Sequence, residues 1–312
     1  MENLLLSFNV VLPLFIAISL GYFLRRIRLL SEESLEKLNG LSFKVFLPIF
    51  LFNNIYATDL SQAFNGRLIL FSLAGVTALF LLLMLVMPLL EKDKAKCGVL
   101  VQAAFRSNFA LFGLPVALSL CGQENIGPTS LLVGVVVPLY NVLAVVALEA
   151  FRGAKPDVGK ILKGIATNPL IIASVLGVIV NLLPFSLPAA VAKSAAQLGD
   201  VATPLSLIAL GGDFMFGKVK KYAKQLTIAV LGKLVVSPLL LVGAGILCGF
   251  RGELLAPILV FSGAPTAVSS YPMAQQMGGD GELAGEAVVF TSAAAVFTMF
   301  LWIFALKQLG YI

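Results

Sequence analysis

Apolar residues run through this chain in long blocks separated by short polar connections. The uncharged run from Leu68 to Leu90 is long enough to cross a bilayer, which takes about 20 residues. Similar runs cover 164–192 and 287–306. The pattern predicts an all-α integral membrane protein with ten spans. They fall near 4–24, 34–56, 68–90, 98–121, 127–150, 164–184, 188–212, 224–249, 254–277 and 284–307. Three units follow: a first five-helix repeat over 1–151, a cytoplasmic connector over 152–163, and a second repeat over 164–312.

Two of these blocks, the fourth of each half, carry the same short pattern. It reads Gly113-Leu114-Pro115-Val116-Ala117 in the first half and Gly263-Ala264-Pro265-Thr266-Ala267 in the second. A proline inside a helix removes a backbone N–H and clashes with the preceding turn, so each copy predicts a broken helix. In hydrocarbon, broken backbone survives only where protein or a watery cavity covers it. Paired breaks at corresponding places point to the binding site of a secondary transporter. Other echoes share one spacing: Pro13 and Pro169, Gly21 and Gly177, and Pro48 and Pro204 all stand 156 residues apart. Five spans per half then make the second half an inverted repeat of the first.

Composition agrees with the membrane reading. Hydrophobic residues make up 59% of the 312 and charged ones only 12%, against about a quarter in soluble domains. The net charge of +6 does not point to nucleic acid, because the basic residues gather in short connections. Arg25, Arg26 and Arg28, Lys92, Lys94 and Lys96, Arg152, Lys155, Lys160 and Lys163, and Lys218, Lys220, Lys221 and Lys224 all fall on one side. The positive-inside rule makes that side cytoplasmic and places both termini outside. Glu2 before the first block and arginines after it reverse the charge order of a secretory signal, so the block reads as a retained helix. There is no histidine, and Cys97, Cys121 and Cys248 lie far apart, so neither a metal site nor a cofactor is expected.

The segment Asn108-Phe-Ala-Leu-Phe-Gly-Leu-Pro115, the partner Gly263-Ala-Pro265-Thr-Ala, and Gly278-Gly-Asp280 resemble the auxin efflux carrier family. That family includes the plant PIN carriers and bacterial members described as malate, malonate or other dicarboxylate transporters. The resemblance spans essentially the whole chain. It implies a scaffold of spans 1, 2, 6 and 7 and a mobile unit of spans 3–5 and 8–10. Unwound spans 4 and 9 would cross near the midplane, and the protein would work by elevator-type alternating access. By the family pattern Asn108, Gly113 and Pro115 mark the first crossover, and Gly263 and Pro265 the second. Family members are often dimeric, which makes a homodimer an expectation by resemblance. The second half departs from the first, since Ile258 stands where Asn108 would correspond.

A broken helix exposes N–H groups on one side of the gap, where partial positive charge suits a carboxylate. Asn108 can donate and accept there, and Thr266, Ser269 and Ser270 can touch ligand or satisfy freed carbonyls. Charges inside the spans add to this. Lys44, Arg106, Lys233 and Asp200 all lie about 13–18 Å along their spans at 1.5 Å per residue. Ionised groups at that depth normally face a partner or water. Three positive against one negative is a surplus suited to an anion. The 156-residue spacing of Lys44 and Asp200 sets them at matching depths on spans 2 and 7, where they could meet as a scaffold salt bridge, as a pair that opens when a carboxylate arrives, or with Asp200 taking up a proton. Arg106 or Lys233 could hold helix C-terminal dipoles in place of a bound sodium. Glu149, Asp213 and Glu286 fall near cytoplasmic helix ends and read as structural or gating groups.

The expected function is therefore a secondary carrier of small organic anions, a dicarboxylate or an auxin-like carboxylate. A carrier of another solute coupled to protons or cations is the alternative within transport, although no paired acids stand at the crossover. A receptor that binds without transporting is the alternative outside it. An intramembrane enzyme lacks an organised nucleophile, base or metal set: the chain has no HExxH and no GxSxG. The partners expected are a small carboxylate and the lipid bilayer.

Overall fold

A computed structural model describes residues 2–57, 65–122, 124–153, 158–183, 186–214 and 220–312, with side chains from Phe8 onward except those of Val10 and Lys160. Lys155 and Lys218 of the basic connections lie outside the described residues. The described chain is helical, with one isolated antiparallel bridge, between Ser107 and Thr266. In order the helices are α1 Glu2–Arg26, α2 Glu32–Tyr56, α3 Gly66–Leu90, α4 Lys94–Phe105, α5 Phe109–Cys121, α6 Gly127–Arg152 and α7 Val158–Thr167. There follow α8 Pro169–Leu182, α9 Ala189–Asp200, α10 Ala202–Asp213, α11 Lys220–Leu247, α12 Gly252–Gly263, α13 Ser270–Gln276 and α14 Gly281–Gln308.

Among the described residues α2, α3, α6, α11 and α14 are each long and apolar enough to cross a bilayer. α3 shows why: Val76, Leu79, Phe80, Leu83 and Met87 are buried while Leu70, Leu81, Leu85 and Leu89 are exposed. A helix apolar on every side has lipid for its outer solvent. Other predicted spans are interrupted. The block near 164–184 bends by 56° between α7 and α8, where Asn168 caps the second helix and Pro169 opens it. The blocks near 98–121 and 254–277 are each two helices joined by extended chain.

Proline explains most of the local departures. Pro48, Pro115 and Pro238 each follow a π-helical turn, at Ser42–Phe46, Phe109–Gly113 and Gly232–Val236. Each stands in the opening turn of the α-helical stretch that comes next. Proline cannot donate to the carbonyl four residues back, and widening the preceding turn relieves that conflict without ending the helix.

The helices pack in two groups. In one, α1 lies along α10, and α8 and α9 lie along α2. Both main contacts are close approaches through glycine. A methyl group at Gly21 would overlap the Ile208 carbonyl, and one at Gly177 would press on Ile55 and the Phe52 carbonyl at 3.1 Å. Gly21 and Gly177, 156 residues apart, thus do the same job in the two halves. The other group holds α3–α6 and α11–α14. α1 against α14 and α6 against α8 join the groups.

Candidate functional site

The site is built where α4 and α12 stop. Every residue of α4 from Cys97 to Phe105 is buried, as is every residue of α12 from Ala256 to Gly263. Their extended continuations pass each other as a short antiparallel pair. The Asn108 N–H donates to the Pro265 carbonyl at 2.7 Å, and the Ala267 N–H to the Arg106 carbonyl at 3.4 Å. Thr266 Oγ1 donates to the Ala103 carbonyl at 2.9 Å, and Thr291 Oγ1 accepts from the Thr266 N–H at 3.2 Å. Broken backbone is thereby enclosed and paired, as a membrane interior requires.

The two predicted breaks do meet, but the proline motif does not place them alike. In the second half the gap lies at the motif itself: Gly263 ends α12 and Pro265 is in the extended crossing. In the first half the gap lies at Arg106–Asn108, ahead of the motif. Gly113 closes the π-turn and Pro115 sits in an intact helix, so the expected break at Pro115 is corrected. A proline in the opening turn needs no N–H, and the π-turn absorbs its ring. The expected match of Ile258 with Asn108 is corrected too. Ile258 is inside α12, and the residue that pairs across the crossing is Thr266, with Ser107.

Carbonyl ends of α4 and α12 converge on one side of the crossing, and the Lys233 ammonium fills that side. It donates to the Ser262 carbonyl at 2.9 Å, to Ser107 Oγ at 2.5 Å and to the Phe105 carbonyl at 3.4 Å, and it is 0% exposed. Ser107 passes a hydrogen bond on to the Phe261 carbonyl, which also accepts from Tyr140 at 2.9 Å. A cation at the negative ends of two helices is where the dipoles favour it.

Arg106 turns the other way. Its guanidinium donates to Asn141 Oδ1 at 2.6 Å, Ser269 Oγ at 2.8 Å and the Met273 sulfur at 3.1 Å. It is 3% exposed, and no described carboxylate forms an ion pair with it or with Lys233. Beside it the amide nitrogens of Asn108 and Asn141 and the hydroxyl of Ser270 are buried without a hydrogen-bond partner. A cavity of about 50 Å³ is lined here by Arg106, Ser107, Asn108, Ser269 and Tyr140, and on its far wall by Phe50, Leu51 and Asn54 of α2. The first N–H groups of α5, which have no partner inside the helix, open beside Asn108. Positive charge and unused donors gather on this side, a chemistry that holds an anion.

Other predicted residues fall elsewhere. Lys44 and Asp200 are exposed on α2 and α9, and no ion pair joins them, so the expected salt bridge within the chain is corrected. Lys44 lies in the π-turn ahead of Pro48 and Asp200 ends α9; both turn outward, away from the crossing. Asp213 accepts a hydrogen bond from Tyr271 and one from Gln275 at 3.5 Å, tying α10 to α13. Glu149 pairs with Arg152 at 3.0 Å, and Glu286 is buried on α14. Gly278-Gly279-Asp280 is a turn whose aspartate caps α14 through the Leu283 N–H at 2.9 Å. Sequence reasoning missed Ser107, Tyr140, Asn141 and Met273. Asn141 carried a signal: it is an amide in the middle of an apolar span, where polar groups are functional by default.

A helical membrane protein with two broken helices crossing around buried cations is, by class, a transport protein. Comparison with known proteins makes this specific. Residues 6–303 match the family described as membrane transport protein, and the chain belongs to it, the auxin efflux carrier family its motifs resemble. Uncharacterized transporters of Methanothermobacter thermautotrophicus and Methanocaldococcus jannaschii are 24% and 23% identical to it. These alignments cover 95% and 96% of this chain and 97% and 98% of theirs. A protein of Rhizobium meliloti, provisionally named a malonate transporter, is 24% identical over 93% of both chains.

Proposed function

We propose that this protein is a secondary carrier of small organic anions, with the binding site on the Arg106–Asn108 side of the crossing. The observation that carries the reading is a buried guanidinium with no carboxylate partner, set beside the unused amide of Asn108 in one cavity. Burying a cation without an acid is expensive, and a visiting carboxylate supplies the missing charge. The name given to the Rhizobium meliloti relative fits a dicarboxylate.

The carrier works by alternating access. The cavity of about 50 Å³ has room for little more than one or two waters, so α2 and the crossing must separate before a carboxylate enters. The group of α1, α2 and α8–α10 serves as the scaffold, and α3–α6 with α11–α14 move. Gly21 and Gly177, matched across the halves, support a ten-span plan of two inverted five-span repeats, and the basic connections support both termini outside. Lys233 holds the carbonyl side that a coupling sodium would otherwise occupy, so transport is expected to be sodium-independent.

Proteoliposomes test this directly. Counterflow of radiolabelled malonate or malate is expected in sodium-free buffer, at a rate unchanged by added sodium. A strict sodium requirement would sink the role given to Lys233. Stabilisation by carboxylates with no flux under any gradient would favour a receptor.

A further inference from the structure

Where the scaffold group meets the moving one, much of the contact is an apolar seam. Leu14 and Ile18 of α1 and Leu207 and Leu210 of α10 pack with Tyr271 of α13 and with Val288 and Val289 of α14. Such a seam can slide, because apolar side chains exchange one neighbour for another at small cost. The polar link beside it holds a single register. Asp213, half-buried at the end of α10, accepts a hydrogen bond from the buried Tyr271 hydroxyl and a second from Gln275 Nε2 at 3.5 Å. Both donors ride on α13, which begins at the crossing. The group that carries Arg106 therefore cannot shift along α10 without breaking both bonds.

Asp213 stands just past the span that ends near 212, within reach of water on the cytoplasmic side. It lines a cavity of about 350 Å³ that also holds Glu32 and Glu36 of α2 and Glu282 of α14, all exposed. Arg25 of α1 lies among them, 3.9 Å from Glu32. A void of about 20 Å³ continues past Asp213 and Tyr271 to Glu286 of α14. Burial pushes the Asp213 carboxyl above the ordinary aspartate range; the Tyr271 and Gln275 bonds and Arg25 pull the other way, and Glu32 adds to the rise.

We infer that the Asp213–Tyr271 contact is a proton-released latch: ionised Asp213 holds the moving group to the scaffold, and a proton from the cytoplasmic cavity frees it. The inference rests on the anion-carrier reading and on its division into scaffold and moving groups. Protonation turns a charge-assisted hydrogen bond into one between neutral groups, about half as strong. The proton is a trigger and not cargo, because Asp213 belongs to the scaffold and stays on the side that supplied it. Acid alone therefore speeds the carrier, with no proton gradient needed.

Asp213→Asn keeps the shape of the acceptor without its charge, and Tyr271→Phe removes the donor. Neither residue lines the Arg106 cavity. Malonate counterflow is measured in sodium-free proteoliposomes with both sides at about pH 7.5 or both at about pH 5.5. At the higher pH each variant is expected to run about fivefold faster than the unmutated protein, and at the lower pH within about twofold of it. Comparison at one pH cancels the change in malonate's own protonation. The same ratio at both pH values overturns the inference, and so does a variant slower than the unmutated protein at the higher one.

Labelling reads the latch without flux. Cys97, Cys121 and Cys248 are changed to serine, and Gln276→Cys on the cavity wall is reacted with a membrane-impermeant maleimide in inside-out vesicles at about pH 7.5. Adding Asp213→Asn is expected to speed labelling about fivefold, and an unchanged rate overturns the inference. Absence of counterflow at either pH, in every variant, would instead sink the carrier reading. Counterflow with no response to Asp213→Asn leaves that reading standing and removes the latch.

Discussion

The two sides of the crossing use positive charge in opposite ways. On the carbonyl side Lys233 is fully satisfied: three acceptors hold its ammonium, and the side is closed. On the other side Arg106, which like Lys233 has no carboxylate partner among the described residues, is held by side chains and not by helix-end carbonyls, and the amides of Asn108 and Asn141 have unused donors. A satisfied buried cation is part of the architecture, and an unsatisfied one is an invitation to a ligand. The repeated Gly-x-Pro-x-Ala motif conceals this, because the copies look equivalent and serve different local structures.

Removing Lys233 should have the largest effect. Lys233→Ala leaves the Ser262 and Phe105 carbonyls and the Ser107 hydroxyl without that donor in a dry site, at about 1–3 kcal/mol for each orphaned group. The melting temperature in detergent is expected to fall by roughly 10 °C and flux to vanish. A variant that melts normally and still transports would show that the carbonyl side needs no fixed cation.

Arg106→Gln should separate binding from stability. It removes a buried charge that lacks a counter-ion, so the ligand-free melting temperature is expected to hold or rise. Anion affinity, read by thermal shift against malonate or malate, is expected to weaken by about 10–100-fold, the worth of one charge-assisted contact. If instead its melting temperature falls as far as that of Lys233→Ala, both cations are architectural and the comparison collapses.

Much of this was legible in the sequence, and the limits have physical causes. The membrane class, the interrupted fourth and ninth blocks, and the buried cations follow from hydropathy, helix breakers and charge. The position of the first break did not. Proline marks a break only where the chain cannot widen a turn to spare it, and the π-turn at Phe109–Gly113 did so. Pairing also escaped. The 156-residue spacing of Lys44 and Asp200 gives equivalent places in two repeats, but equivalence in an inverted plan is not contact, and both face outward. Asn141 carries no charge to mark it in an apolar block, yet an amide buried without a partner still costs roughly 2–7 kcal/mol.

The smallest effect should come from the repeated Gly-x-Pro-x-Ala motif, and it tests whether the two copies differ. Pro265 lies in extended chain just past α12, and its carbonyl receives the Asn108 N–H that holds the crossing together. Pro265→Ala allows α12 to wind on past Gly263, which would pull that carbonyl out of the bridge, and flux is expected to fall by about tenfold. Pro115 stands in the opening turn of an intact stretch, where alanine fits the same backbone and supplies an N–H that needs little. Pro115→Ala is expected to cost about 0.4–1 kcal/mol, mainly through a freer unfolded chain, and to leave flux within about twofold. Both variants would be assayed in the same proteoliposomes, normalised to reconstituted protein. Equal losses would mean that the π-turn before Pro115 is itself part of the moving site, and the two copies would then be partners in function despite their different shapes.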